Sequence, residues 1–142
     1  MIYGIGVDTA SAARLEKSIA RAHFVQRVFG PEERALLQGR SPARRAETAA
    51  ANFAAKEALA KALGTGLSGF VWVQAQALRA PNGAPYFAFS GRLAETMRQK
   101  ALRHIFPLRT RAGLPRLLWC WNRRPGPPHT QRRRQNDNTG TN

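Results

Sequence analysis

The sequence holds a single cysteine, Cys120, so no disulfide can form within the chain, and small scaffolds stapled by such bonds are excluded. It has no apolar run near the roughly 20 residues that a membrane-spanning helix needs, which excludes an integral helical membrane protein. No basic and apolar leader precedes the first strand-like residues, so the expectation is a cytoplasmic protein. Acids are also scarce: eight Asp and Glu face 23 Lys and Arg, for a net charge of +15. The imbalance is uneven. Residues 1–100 carry fourteen basic and seven acidic residues, whereas residues 101–142 carry nine arginines, no lysine and one acid. Such a surface favours anionic partners, by steering their encounter more than by adding affinity, and nucleic acid would qualify among them. A chain of 142 residues is one domain, able to bury a modest core.

Two stretches stand out against this background. Glu47 to Leu63 contains neither Pro nor Gly, is mostly Ala and Leu, and is followed by Gly64, which predicts a helix with a natural stop. At about 100° per residue Ala51, Ala55, Ala58, Leu59 and Ala62 share one side. Glu57 and Lys61 share another, and Lys56 projects away from both. A Glu–Lys pair at this spacing ordinarily does no more than steady a helix, by about 0.2–0.5 kcal/mol. The opening residues, Tyr3-Gly4-Ile5-Gly6-Val7-Asp8, predict a strand with one bulky face and one nearly bare face. Two glycines in a strand interior imply that another backbone or a ligand comes close. Asp8 emerges beside that gap. Asp8 and Glu57, from separate elements, could then converge on a hard cation such as Mg²⁺, which takes oxygen ligands and keeps waters for a phosphate substrate.

Gly4-Ile5-Gly6-Val7-Asp8 together with Phe53-Ala54-Ala55-Lys56-Glu57-Ala58-Leu59-Ala60-Lys61 resembles the holo-[acyl-carrier-protein] synthase family, the short 4′-phosphopantetheinyl transferases. Arg14-Leu15-Glu16, Gly64-Thr65-Gly66 and Gly83-Ala84-Pro85-Tyr86 fit the same pattern, and the resemblance runs from residue 1 to about residue 100. It implies transfer of 4′-phosphopantetheine from coenzyme A to a serine of apo-acyl carrier protein, dependent on Mg²⁺ and supporting fatty acid biosynthesis. It also implies a homotrimer with sites at the subunit interfaces. Asp8 and Glu57 would be the metal ligands, with Glu57 and Lys61 catalytic and Lys61 on a coenzyme A phosphate. Lys56 would serve a structural or an adenosine-phosphate role. Arg14 and Arg21, on a basic face with Lys17, would meet the carrier protein.

In chain order, Ala10 to Phe29 reads as a first helix, and Gly30-Pro31-Glu32-Glu33 starts a second, with acids where the helix dipole favours them. Gly64 to Gly69 is a loop, either a phosphate cradle or a plain connection. Phe70 to about Leu78 and Tyr86 to Phe89 read as a hairpin around the turn Pro81-Asn82-Gly83, and Ser90 caps a helix reaching about Leu102. The expected fold is α+β, with helices packed on one antiparallel sheet.

The end departs from the family pattern. Pro107 and Pro115 are poor central-strand residues, and the stretch from Arg123 is rich in Pro, Arg and Asn. The expectation is therefore a transferase domain over residues 1–103 with its last strands missing, and an aberrant, disordered basic tail over residues 104–142. A change of reading frame between about Lys100 and His104 would account for this. Codons for Ile105-Phe106-Pro107-Leu108, read one base earlier, can spell the family's His-Phe-Ser-Leu. Those for Leu118-Trp119-Cys120-Trp121-Asn122 can likewise spell Phe-Val-Val-Leu-Glu. Two other classes remain compatible: an impaired relative that only binds coenzyme A or carrier protein, and a basic nucleic-acid-binding protein, for which no recognition motif is present.

Overall fold

The computed structural model describes residues 2–100 and, as backbone, three further strands that reach residue 123. Strand β1 (Ile2–Asp8) leads into helices α1 (Ala12–Ile19), α2 (Ala22–Val28), α3 (Pro31–Gln38) and the long α4 (Pro42–Leu63). A hairpin of β2 (Ala75–Arg79) and β3 (Pro85–Phe89) follows, then α5 (Gly91–Gln99) and strands β4 (Leu102–Ile105), β5 (Leu108–Arg111) and β6 (Leu114–Arg123). The α+β expectation holds, with the antiparallel strands divided between two sheets. One has the order β1-β6-β4 with β5 also on β6, and the other is the β2-β3 hairpin.

The final strands, expected to be missing, are present. Strand β6 pairs antiparallel with β1 from Ile2↔Asn122 to Asp8↔Leu117. Leu117-Leu118-Trp119-Cys120-Trp121 is bulky and apolar enough to suit a pleated surface whatever its origin. Pro115 is tolerated because it lies beyond the last residue paired with β1 and faces only Thr110 of β5. The boundary expected between residues 103 and 104 falls inside β4. The Pro- and Arg-rich stretch from residue 124, expected to be disordered, lies outside the described residues.

Helix α4 forms the spine. It starts at Pro42, five residues before the stretch singled out by composition, because proline is suited to the first helical turn. It ends where Gly64 adopts the left-handed conformation (φ 70°). Its buried positions are mostly alanine, so neighbouring elements approach closely. A methyl group on Gly4 or Gly6 of β1 would overlap the backbone carbonyl oxygens of Ala62 and Ala58 respectively. The bare face of the strand is thus the seat of the helix. Tyr3, Ile5 and Val7, on its other face, are exposed.

Two departures from the local pattern have tertiary causes. The single helix expected over Ala10–Phe29 is two, divided at Arg21, whose backbone is extended. No Gly or Pro marks the break. The bend lets Ile19, Val28 and Phe29 join Leu37, Ala46 and Ala49 in one buried cluster, and that packing outweighs helix propensity. The strand expected from Phe70 begins at Ala75, after a 3-10 turn at Trp72–Gln74. There Trp72 stacks on Phe53 of α4 with ring centroids 5.2 Å apart.

Candidate active site

The close contact of β1 with α4 decides where the strand's last side chain goes. Asp8 lies at the end of β1 and Glu57 one residue before Ala58, so the two carboxyl groups come within hydrogen-bonding reach. Asp8 Oδ1 also accepts the Thr9 N–H at 2.8 Å. Lys61, one turn beyond Glu57, places its ammonium 3.4 Å from Asp8 Oδ1 and donates to the Val7 carbonyl oxygen at 3.3 Å. Half of the Lys61 side chain remains exposed, leaving a donor for a further anionic group.

Two carboxylates this close cannot both ionise freely. Burial pushes Glu57 up, and the hydrogen bond and negative charge of Asp8 push it further. The charges of Lys61 and Arg14 pull it back only in part, and Glu57 settles at about 7. For Asp8, burial acts upward but is outweighed by the hydrogen bonds from Glu57 and the Thr9 N–H and by the charge of Lys61, so it lies below the ordinary carboxylate range. Below about pH 7 the pair therefore holds one proton between two carboxyl groups. A divalent cation bound there would replace that proton, which is how the donor set fits a hard metal. Among the described residues no cluster of three or more His, Cys, Asp or Glu exists, so the remaining ligands would be water and substrate oxygens.

Arg14, read as a carrier-protein contact, is exposed on α1 and close enough for its charge to act on Glu57. Arg21 is exposed at the start of α2. A cavity of about 320 Å³ opens between the end of α4 and α5, lined by Leu63, Thr65, Phe70, Leu93, Arg92 and Lys100 among others. Its lining mixes apolar and polar side chains, and its two cations belong to α5 and that helix's end.

Lys56 is not part of this site: of the two roles expected for it, structural or adenosine-phosphate, its surroundings fit the structural one and leave no access for the coenzyme. Its side chain is fully buried and donates to the carbonyl oxygens of Val28 (2.5 Å) and Trp72 (2.9 Å) and to Glu33 Oε2 (2.6 Å). With all three N–H bonds used, it has none for a ligand. Glu33 is fully buried as well, and sequence reasoning saw it only as an acid at a helix start. Its Oε2 also accepts the Gly30 N–H (2.9 Å), and its Oε1 accepts the Ala77 N–H (3.0 Å) and Asn52 Nδ2 (3.2 Å). The signal available was spacing: Asn52, Lys56, Leu59 and Leu63 form one helical stripe, and all four are buried.

The profile of the 4′-phosphopantetheinyl transferase superfamily matches residues 4–108. The holo-[acyl-carrier-protein] synthase of Azorhizobium caulinodans is 48% identical over 102 residues, covering 70% of this chain and 74% of that protein. The corresponding protein of Herminiimonas arsenicoxydans is 43% identical over 108 residues, covering 72% of this chain and 83% of its own. Among solved structures, the holo-[acyl-carrier-protein] synthase of Neisseria meningitidis superposes with a TM-score of 0.73 at 29% identity, covering 86% of this chain and 99% of that one. The Bacillus anthracis enzyme in complex with CoA (3′,5′-ADP) does so with a TM-score of 0.71 at 25% identity, over 85% and 96%. The strand-to-helix meeting of Asp8 with Glu57 thus stands in the fold of these enzymes, and the chain belongs to the 4′-phosphopantetheinyl transferase superfamily as one of its holo-[acyl-carrier-protein] synthases.

Proposed function

We propose that the chain transfers the 4′-phosphopantetheine group of coenzyme A to a serine of apo-acyl carrier protein, with Mg²⁺ held by Asp8 and Glu57, in support of fatty acid biosynthesis in the cytoplasm. The observation that carries the reading is the meeting of these two carboxyl groups beside Lys61. When bound, the cation neutralises diphosphate charge and polarises the phosphorus under attack. In the reaction a bond forms between the serine oxygen and the β-phosphorus, and the bond from that phosphorus to the oxygen bridging the two phosphates breaks. The bridging oxygen leaves on 3′,5′-ADP.

The chain's own residues meet the remaining demands. Lys61 supplies a point charge for a coenzyme phosphate from its exposed half. Glu57 accepts the serine proton directly or through water. Arg14 and Arg21 offer positive charge to an acidic carrier protein, and Arg14 brings that contact to the edge of the acid pair. The cavity beside Arg92 and Lys100 is proposed to hold part of the coenzyme. The exposed row Tyr3, Ile5 and Val7 supports assembly into a homotrimer through the outer face of β1. The basic end of the chain is proposed as an appendage outside this machinery.

A second reading, an impaired relative that only binds coenzyme A or carrier protein, draws on one observation: the family profile stops matching at residue 108. One experiment separates the two. The chain is incubated with coenzyme A, Mg²⁺ and apo-carrier protein, and the carrier is weighed by mass spectrometry. The transferase reading expects the phosphopantetheine mass on the carrier, abolished by Asp8→Ala and by Glu57→Ala. Full transfer by both variants would overturn the site assignment, and no transfer by the native chain would favour the impaired relative.

A further inference from the structure

Helix α4 is smooth over most of its buried surface. Ala46, Ala49, Ala50, Ala54, Ala55, Ala58, Ala60 and Ala62 are buried along it, and Leu59, Leu63 and the Phe53 ring stacked on Trp72 supply the few ridges that bear on how it is turned about its own axis. The glycines of β1 set how near the helix lies. Its rotation needs directional contacts.

These come from positions 52 and 56, one turn apart. Lys56 is tied to the last residue of α2, to the 3-10 turn and, through Glu33, to the start of α3 and to β2. Asn52 Nδ2 donates to both Glu33 Oε1 and the Ala77 carbonyl oxygen, at 3.2 and 2.9 Å. Four elements therefore hold α4 at one azimuth, immediately before Glu57. A buried ion pair is an expensive way to stabilise a core, and well-packed apolar residues often do as well. Directionality is what it adds. The Glu57 carboxyl stands roughly 6 Å from the helix axis, so a 20° turn would carry it about 2 Å from Asp8. Displacements of that size can cost about a hundredfold in rate.

We propose that the buried Glu33–Lys56 pair, with Asn52, is a positioning device that aims Glu57 at Asp8. The proposal rests on the reading above that these two acids hold the divalent cation.

The test uses the full chain and Mn²⁺ as the probe, with affinity measured by electron paramagnetic resonance and Asp8→Asn as the control. The double variant Glu33→Gln/Lys56→Met removes both charges at nearly constant volume and leaves neither unpaired. Asn52→Ala, which keeps the ion pair, removes the other tie. For the double variant the expected result is a native near-ultraviolet circular dichroism spectrum, Mn²⁺ binding at least about tenfold weaker, and kcat lowered at saturating Mg²⁺ with KM for coenzyme A within about twofold of native. Asn52→Ala shifts the same quantities in the same direction by less. A folded double variant with native Mn²⁺ affinity and kcat would overturn the positioning role. So would a double variant that fails to fold, which would make the pair a stability element. Equal binding of Mn²⁺ by the native chain and Asp8→Asn would instead overturn the metal reading, and this proposal with it.

Discussion

Replacing Glu57 by Gln should stabilise the metal-free protein above neutral pH, although it damages the site. Ordinarily this carboxyl ionises near 4.5, whereas in the folded chain it does so at about 7. Between those values the folded protein keeps a proton that the unfolded chain has released, so stability falls as pH rises from about 4.5 to about 7, and the loss is complete above that range. The full shift corresponds to about 3.4 kcal/mol at 1.36 kcal/mol per pH unit. Water reaches part of the Glu57 side chain, and screening reduces this to on the order of 1–2 kcal/mol. Glutamine cannot ionise, and its amide can donate to Asp8 as the protonated acid does. In EDTA, Glu57→Gln and the native chain should therefore melt together near pH 4.5. The variant should melt roughly 4–10 °C higher at pH 8. Added Mg²⁺ should raise the melting temperature of the native chain and leave that of the variant unchanged. Scanning calorimetry or circular dichroism at the two pH values checks this. A variant no more stable than the native chain at pH 8 in EDTA would refute the reasoning, because it would show that Asp8 and Glu57 do not strain each other.

Gly6→Ala should destabilise by about 3 kcal/mol or more, since the added methyl meets a backbone carbonyl of α4 that cannot turn aside; urea denaturation reads the loss, and a change within 0.5 kcal/mol would mean that strand and helix are not in contact. Lys61→Ala should change stability by no more than about 1 kcal/mol, as half-exposed ion pairs do, yet lower kcat/KM for coenzyme A by at least about tenfold. Unchanged coenzyme kinetics would remove Lys61 from the phosphate role. The nucleotide sequence across codons 98–125 should encode His-Phe-Ser-Leu and Phe-Val-Val-Leu-Glu in the neighbouring frame. A neighbouring frame without those strings would end the frame-change explanation.

Much of the site was legible because its signals are local and chemically costly. Glycines at positions 4 and 6 make sense in a strand only if something presses against it, and the structure shows the backbone of α4 doing so. Glu57 and Lys61 share a helix side by spacing alone. What could not be read was set by distant partners. The bend at Arg21 has no local breaker and follows from packing Phe29 and Leu37 together. The sequence leaves Lys56 between a structural and an adenosine-phosphate role, because a buried ammonium is plausible only once its acceptors are known. Two of those are main-chain carbonyl oxygens, at Val28 and Trp72, on elements 28 and 16 residues away in sequence. Strand β6 was misjudged for a different reason: Pro115 was weighed without knowing where β1 would stop.

The same helix thus solves two problems that pull in opposite directions. To bring Glu57 within reach of Asp8, α4 must lie almost on the backbone of β1, which demands glycine on the strand and alanine on the helix. Side chains that small do little to define a unique rotation, and a rotated helix would point Glu57 elsewhere. Glu33 and Lys56 restore a defined orientation from the opposite side, at a desolvation cost that pushes Glu33 up and Lys56 down from their ordinary values, each opposed by the other's charge. The acid motif and the lysine preceding it are therefore one device: closeness without the ion pair would leave the carboxyl groups near each other but unaligned, and the ion pair without closeness would align a residue that never meets its partner.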